Sequence, residues 1–263
     1  MNFQFYKYHG AGNDFIVIDN REDRFPQSDN KFIAGLCQRR FGIGANGLML
    51  LHNHSKYDFE MKYYNADGME GSLCGNGGRC IVAFAHRLGI IGNKTVFLAI
   101  DGEHRAVVVY HDYIRLKMKD VSEIEKGDDY FFLDTGSPHY VTFTEKVKEK
   151  DVYSAGKAIR YNDRFRSEGT NVNFVERLDD SLFVRTYERG VEDETLACGT
   201  GIVASAICAA INDNTDINSY HVKALGGELK VNFKRNEEKI TDIWLEGPAV
   251  KVFEGTIETE SLW

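Results

Sequence analysis

Three prolines in 263 residues, no excess of positive charge and no long uncharged apolar run are what this sequence most plainly lacks. The scarcity of proline leaves strand ladders with their backbone donors. With 25 glycines, 17 phenylalanines and 13 tyrosines, it predicts a strand-rich chain with few helices. A formal charge of −8 argues against a nucleic-acid surface, and the pair Arg39-Arg40 reads as a solvated face. No stretch approaches the roughly 18 apolar residues of a membrane helix. The N-terminus shows no apolar core behind a basic start, so no signal peptide is expected and the chain reads as cytoplasmic.

Cysteine is also sparse, and its spacing excludes two roles. Five cysteines, an odd number, do not suit a disulfide framework in a reducing compartment. No Cys-x-x-Cys pair exists for zinc or for a redox couple, and Cys74 to Cys80 is too wide for a zinc knuckle, so no metal is expected. No P-loop appears, nor a Gly-x-Gly-x-x-Gly after a strand in a dinucleotide-binding context. Cys37, Cys80 and Cys208 fall in apolar segments and read as small buried hydrophobes.

What is present is a pattern stated twice: Cys74-Gly75-Asn76-Gly77 and Cys198-Gly199-Thr200-Gly201. Each cysteine precedes a glycine turn that opens an apolar segment at helical spacing, Ile81, Phe84, Ala85 and Leu88 in one copy, Val203, Ala206, Ile207 and Ala210 in the other. The copies lie 124 positions apart (74 to 198), and other landmarks keep nearly that offset. Gly12-Asn13-Asp14-Phe15 matches Gly136-Ser137-Pro138-His139, Asn46 matches Asn171, residues 58–77 run without a gap onto 182–201, and Gly102-Glu103 matches Gly227-Glu228. The repeat is too long for a solenoid and implies two similar domains. The polar stretch Lys119–Lys126 is the expected boundary, giving domains 1–118 and 119–250. A helix is expected over 29–40, and strands over 3–8, 15–18, 48–51, 59–64, 96–100, 106–110 and 113–118.

A cysteine at a helix start has its thiolate stabilised by unsatisfied N–H groups and the positive end of the dipole. Two such cysteines on opposite sides of one ligand suit inversion at carbon, where a thiolate removes a proton from one face and a thiol returns one to the other. Sites between domains are favoured places for a small molecule. A thiol near pKa 8.5 needs modest tuning for this work. Backbone N–H groups at Gly75-Asn76 and Gly199-Thr200 would hold the negative charge that builds on a neighbouring carboxylate.

Several blocks together resemble the diaminopimelate epimerase family. They are His9-Gly10-Ala11-Gly12-Asn13-Asp14-Phe15, Arg40-Phe41-Gly42-Ile43-Gly44, Asn65-Ala66-Asp67-Gly68, Cys74 to Cys80, Gly136-Ser137-Pro138-His139, Gly169 to Phe174, Tyr187-Glu188-Arg189-Gly190 and Ala197 to Gly201. The resemblance implies an α+β fold of two pseudo-symmetric strand-rich domains, each a β-barrel or roll around a central helix. The chain's end, 251–263, would return to the first domain. It further implies a homodimer, an amino-acid substrate and no cofactor. By motif, Cys74 and Cys198 correspond to the catalytic acid/bases, and His139 and Glu188 to groups that assist them. Asn13, Asn65, Gly75, Asn76, Asn171, Glu188, Arg189, Gly199 and Thr200 correspond to substrate-binding positions.

Two departures stand out: Ser137 occupies a position where many relatives carry Asn, and Asn46-Gly47 follows the Gly-Ile-Gly loop where relatives often have Asp and then Gly or Gln. The ungapped repeat sets His139 against Phe15, Glu188 against Tyr64 and Arg189 against Asn65, so the halves differ in the partners they offer each cysteine. The open alternatives are another racemase or isomerase, of the proline, hydroxyproline or phenazine-pathway kind, and a non-catalytic amino-acid-binding protein.

Overall fold

Two helices are buried on every face over most of their length, residues 75–85 in one and 201–210 in the other, and each is wrapped by its own ladder of strands. The computed structural model describes residues 2–236 and 239–258, so the tail expected to complete the first domain lies outside the described residues from 259 onward. The chain divides into two units, the first formed by residues 2–116 with 248–258 and the second by 117–247.

The first unit runs β1 (Asn2–Gly10), β2 (Asn13–Asp19), α1 (Asn30–Cys37), β3 (Gly47–His52), β4 (Glu60–Asn65), β5 (Glu70–Gly71), α2 (Gly75–Arg87), β6 (Lys94–Ala99), β7 (Gly102–Tyr110) and β8 (Tyr113–Lys117). The second runs β9 (Ile124–Lys126), β10 (Phe131–Asp134), β11 (Pro138–Phe143), α3 (Val152–Arg160), β12 (Asn171–Arg177), β13 (Leu182–Glu188), β14 (Asp193–Thr195), α4 (Gly199–Asn212), β15 (Ser219–Ala224), β16 (Gly227–Asn236) and β17 (Lys239–Pro248). A last strand, β18 (Val250–Glu258), pairs antiparallel with β1 and so belongs to the first unit.

The two ladders follow one plan. In the first, β1 and β2 are antiparallel, β2 and β3 parallel, β3 and β4 antiparallel, β4 and β6 parallel, and β6, β7 and β8 a meander. In the second the same sequence of pairings joins β10, β11, β12, β13, β15, β16 and β17. The helix α2 touches both β1 and β7 of its ladder, and α4 touches strands from β10 to β16, so each ladder curls around its helix. This explains why residues 75–85 and 201–210 are buried throughout: a helix enclosed on all sides needs apolar or small residues all round.

Strand register corrects the repeat by one residue in two places. Phe15 stands opposite Gly47, and His139 stands opposite Asn171, so the counterpart of Asn171 is Gly47 and not Asn46. Leu48 faces Tyr64 as Val172 faces Tyr187, which makes Glu188 the counterpart of Asn65. The slip arises because the hairpin tip after β13, residues 188–193, is one residue longer than the tip after β4, residues 65–69.

One further expectation changes. The helix expected to reach Arg40 stops at Cys37, where Gln38 is extended and the chain folds back so that Gly44 and Ala45 donate to the carbonyls of Leu36 and Cys37. Gly44 makes that return at φ +80. Along the polar stretch 119–126 the chain is ordered: Val121 bridges Ile240, and β9 pairs with β10. The helix α3, with Asp151 capping its first turn, has no counterpart among the elements expected from the sequence.

Candidate active site

Each cysteine turn is built where a strand hairpin delivers the chain to the mouth of its enclosed helix. In the first unit Cys74 is the cap of α2, with extended backbone (φ −96, ψ 149), and its sulfur accepts the Gly77 N–H at 3.2 Å. Gly77 suits this place because a Cβ there would sit 3.2 Å from that sulfur and 3.4 Å from Met49 Sδ. Gly10 ends β1 against the same turn, where a Cβ would come within 2.9 Å of the Asn76 carbonyl. Asn76 is buried, and its Oδ1 accepts from Arg79 Nη2 at 3.0 Å. Arg79 also donates from Nη1 to the Gly75 carbonyl at 3.0 Å and from Nε to the Pro248 carbonyl at 3.4 Å.

The remaining first-unit candidates sit on neighbouring strands. Asn13 opens β2, and its Oδ1 is buried without a hydrogen-bond partner, an acceptor that a ligand N–H would satisfy. Asn65 ends β4, is exposed, and lies against Gly71, where a Cβ would be 2.8 Å from its Nδ2. The unusual Asn46-Gly47 pair has a local cause: Asn46 Oδ1 accepts from Arg39 Nη2 at 2.9 Å, while a Cβ on Gly47 would lie 2.5 Å from the Tyr63 ring. Arg39 and Lys7 both pair with Asp14, which holds its carboxyl below the usual range against the opposing effect of burial.

In the second unit Cys198 caps α4 with extended backbone and no side-chain cap bond, and its sulfur lies 3.5 Å from Thr200 Oγ1. Thr135 steadies the turn by donating to the Thr200 carbonyl at 2.9 Å. His139 is fully buried and packs on this turn, since a Cβ on Gly201 would stand 3.3 Å from its Cε1 and 2.2 Å from Asn173 Oδ1. Asn173 fixes the imidazole. Its Nδ2 donates to the Tyr140 carbonyl at 3.0 Å, an acceptor only, while its Oδ1 accepts from the Thr186 hydroxyl at 2.9 Å. The same Nδ2 meets His139 Nδ1 at 3.1 Å, so Nδ1 accepts and the ring proton sits on Nε2, which has no hydrogen-bond partner. Burial, with the nearby Arg189 charge, lowers the His139 pKa to about 3, so the ring is neutral.

A second network carries the substrate candidates of this unit. Asn171 Nδ2 donates to Ser137 Oγ at 2.9 Å and to the Pro138 carbonyl at 3.0 Å, and its Oδ1 accepts the Arg189 N–H at 2.9 Å. Arg189 reaches Ser137 Oγ at 3.4 Å and the Glu168 carbonyl at 3.0 Å. Ser137 therefore ties Asn171 to Arg189. Glu188 accepts from Thr195 Oγ1 at 2.8 Å; burial raises its pKa, and the Thr195 hydroxyl works against that rise.

Sequence reasoning did not single out Ser137 as a tie, nor Asn173, Thr135, Thr195 or Arg79. For Asn173 the signal was there: it lies two residues beyond Asn171, hence on the same face of β12. The other three cysteines are buried, and burial pushes Cys37 up to about 12 and Cys80 and Cys208 upward as well, which keeps them as thiols. Among the described residues no cluster of His, Cys, Asp and Glu is arranged to hold a metal ion, and no helix is long and apolar enough to cross a membrane.

The family model described as diaminopimelate epimerase matches residues 5–123 and 131–252. A diaminopimelate epimerase from Flavobacterium psychrophilum is 51% identical over 253 residues, covering 96% of this chain and 99% of the relative. Another from Chlorobaculum tepidum is 45% identical, covering 94% and 98%. Among solved structures, a phenazine biosynthesis protein of the PhzF family from Bacillus anthracis superposes with a TM-score of 0.76 at 12% identity, over 98% of this chain and 99% of that one. A probable proline racemase from Agrobacterium radiobacter K84 gives 0.71 at 14% identity, over 98% and 93%. At such identities the two structures speak for the fold alone.

Proposed function

The chain belongs to the diaminopimelate epimerase family and is an isomerase, and from that premise we propose that it interconverts LL- and meso-diaminopimelate, without a cofactor, through the thiols of Cys74 and Cys198. The observation that carries this reading is the repeated construction: both cysteines cap an enclosed helix directly after a hairpin of the same design. One sulfur, as thiolate, takes the proton from the α-carbon. The other, as thiol, gives a proton to the opposite face, and the reverse reaction exchanges the roles. Charge that moves onto the α-carboxylate is met by N–H groups of Gly75-Asn76 and Gly199-Thr200 at the two helix starts.

The polar network of the second unit supports distinct roles for its members. Arg189 offers a planar fork for a carboxylate, and the Ser137 and Glu168 contacts hold it in place. Asn13, Asn65, Asn171 and Glu188 supply acceptors for ammonium groups, and the unpartnered Oδ1 of Asn13 suits that task. With its proton on Nε2, His139 serves the sulfur as a neutral donor that stabilises developing thiolate, and Glu188 assists proton exchange. A homodimeric assembly and a cytoplasmic location complete the proposal; sedimentation of the purified protein tests the first.

Incubation with LL-diaminopimelate in deuterated water tests the reaction. Deuterium at the α-carbon of the meso product is expected. No exchange at all would leave an amino-acid-binding protein, and exchange into proline or hydroxyproline instead would move the chain to a different racemase.

A further inference from the structure

Arg79 stands one turn into α2 and is fully buried, the largest side chain to be so. Its three hydrogen bonds go to neutral acceptors, the Gly75 carbonyl, Asn76 Oδ1 and the Pro248 carbonyl. Among the described residues no carboxylate pairs with it. The position is costly twice over. A guanidinium removed from water loses several kcal/mol of solvation unless an anion compensates, and the start of a helix is its positive end, where a cation is disfavoured.

The groups whose charge acts on Arg79 are Cys80 and Cys74 on its own helix and Tyr113 on β8. Tyr8, on β1, is buried as well, and that burial drives its phenol well up. Cys80 is fully buried, and that burial drives its thiol up so far that it stays neutral even beside the cation. Cys74, half-buried and already accepting the Gly77 N–H as a helix cap, is left as the group able to carry the anion. The repeat makes the point sharper. At the offset that relates Cys74 to Cys198, Arg79 corresponds to Val203, a fully buried apolar residue of α4.

We propose that Arg79 is a positioning residue that holds Cys74 as the resting thiolate, while Cys198, whose helix carries valine at that place, rests as the thiol. The inference deepens the two-thiol reading and rests on it for the meaning of the two protonation states. The free enzyme is then primed in one direction: Cys74 is the base for the first proton removed, and Cys198 is the donor. The diastereomer that presents its α-proton to Cys74 reacts with the resting form directly. The other needs a prior transfer of the proton between the sulfurs.

Two measurements test this. In the wild-type enzyme at neutral pH, thiolate absorbance near 240 nm should fall by about one thiolate in Cys74→Ala and remain in Cys198→Ala; loss of the signal in Cys198→Ala with retention in Cys74→Ala would overturn the assignment. The second is the pH profile of iodoacetamide alkylation at each cysteine, read by peptide mapping. In wild type the Cys74 midpoint should lie below that of Cys198. Arg79→Gln should move the Cys74 midpoint up by about one pH unit or more, a tenfold loss of rate at low pH, and leave Cys198 in place. Arg79→Lys, which keeps the charge, should restore most of the shift, as a packing role alone would not. Equal shifts at both cysteines, or none at Cys74, would overturn the proposal. If Arg79→Gln does not fold, the wild-type absorbance still decides. α-Carbon deuterium exchange on the same preparation separates the readings: exchange without a Cys74 thiolate keeps the two-thiol reaction and removes only the role of Arg79.

Discussion

The two cysteine turns share a backbone and differ in nearly everything around it. Both sulfurs cap enclosed helices, and both helices begin Gly-x-Gly. Around Cys74 the neighbours are a methionine, the Phe15 ring, a backbone N–H and a buried guanidinium one turn on. At the Cys198 turn the Thr200 hydroxyl lies beside the sulfur, and a neutral histidine held by Asn173 packs on Gly201, three residues on. Duplication supplies the symmetry that a reversible proton transfer needs. Divergence at the same register positions, Phe15 against His139, Gly47 against Asn171 and Arg79 against Val203, supplies different tuning. A substrate whose reacting carbon carries four different groups calls for such a pair.

The comparison is open to attack at four points, taken from the largest expected effect. His139→Gln removes the donor we propose for Cys198 and should lower kcat by about 10²-fold or more, as loss of a positioned proton-transfer group does, with circular dichroism unchanged at neutral pH. The same variant should alter acid stability. The ring is held neutral down to about 3, whereas the unfolded chain protonates near 6.5, so stability falls with pH across that window by about 1.4 kcal/mol per unit. Urea titrations between those limits should show the stability of His139→Gln falling less steeply with pH than that of wild type, by about that amount.

Next come the helix starts. Gly201→Ala puts a Cβ 2.2 Å from Asn173 Oδ1 and should cost about 3 kcal/mol. Gly77→Ala meets the Cys74 sulfur at 3.2 Å, with Met49 Sδ and the Phe15 ring at ordinary contact distance, and should cost about 1 kcal/mol, so equal thermal shifts would break the contrast. Thr195→Val removes the hydroxyl that favours ionised Glu188. Its carboxyl should rise further, moving the acid limb of kcat/KM up by about half a pH unit. Ser137→Ala should be mildest, raising KM severalfold by loosening Arg189 and Asn171 with little change in kcat, about 0.5–1 kcal/mol of binding.

Much of this comparison was legible in the chain itself. The Cys-Gly-x-Gly pairs, their offset and the apolar spacing behind them mark two helix starts, because capping and helical period are local properties. The substrate-binding roles proposed for Asn171 and Arg189 came with family motifs. What escaped depends on distance through space. The register of β12 against β11 decides that Asn171 answers to Gly47, and the one extra residue in the hairpin tip that Glu188 opens shifts its counterpart to Asn65. Arg79 sits in plain view in the first cysteine block, yet its burial depends on β1 and on the Pro248 carbonyl closing over it. The end of α1 misled for a related reason: Arg39 looks like a helix-terminal cation until Asp14, on a strand, claims it.

The central claim is that both sulfurs are required and neither substitutes for the other. Cys74→Ala and Cys198→Ala, prepared separately and assayed from each diastereomer for conversion and for α-carbon deuterium, test it most directly. The account predicts that each variant loses interconversion in both directions. Either variant turning over LL-diaminopimelate near the wild-type rate would contradict it.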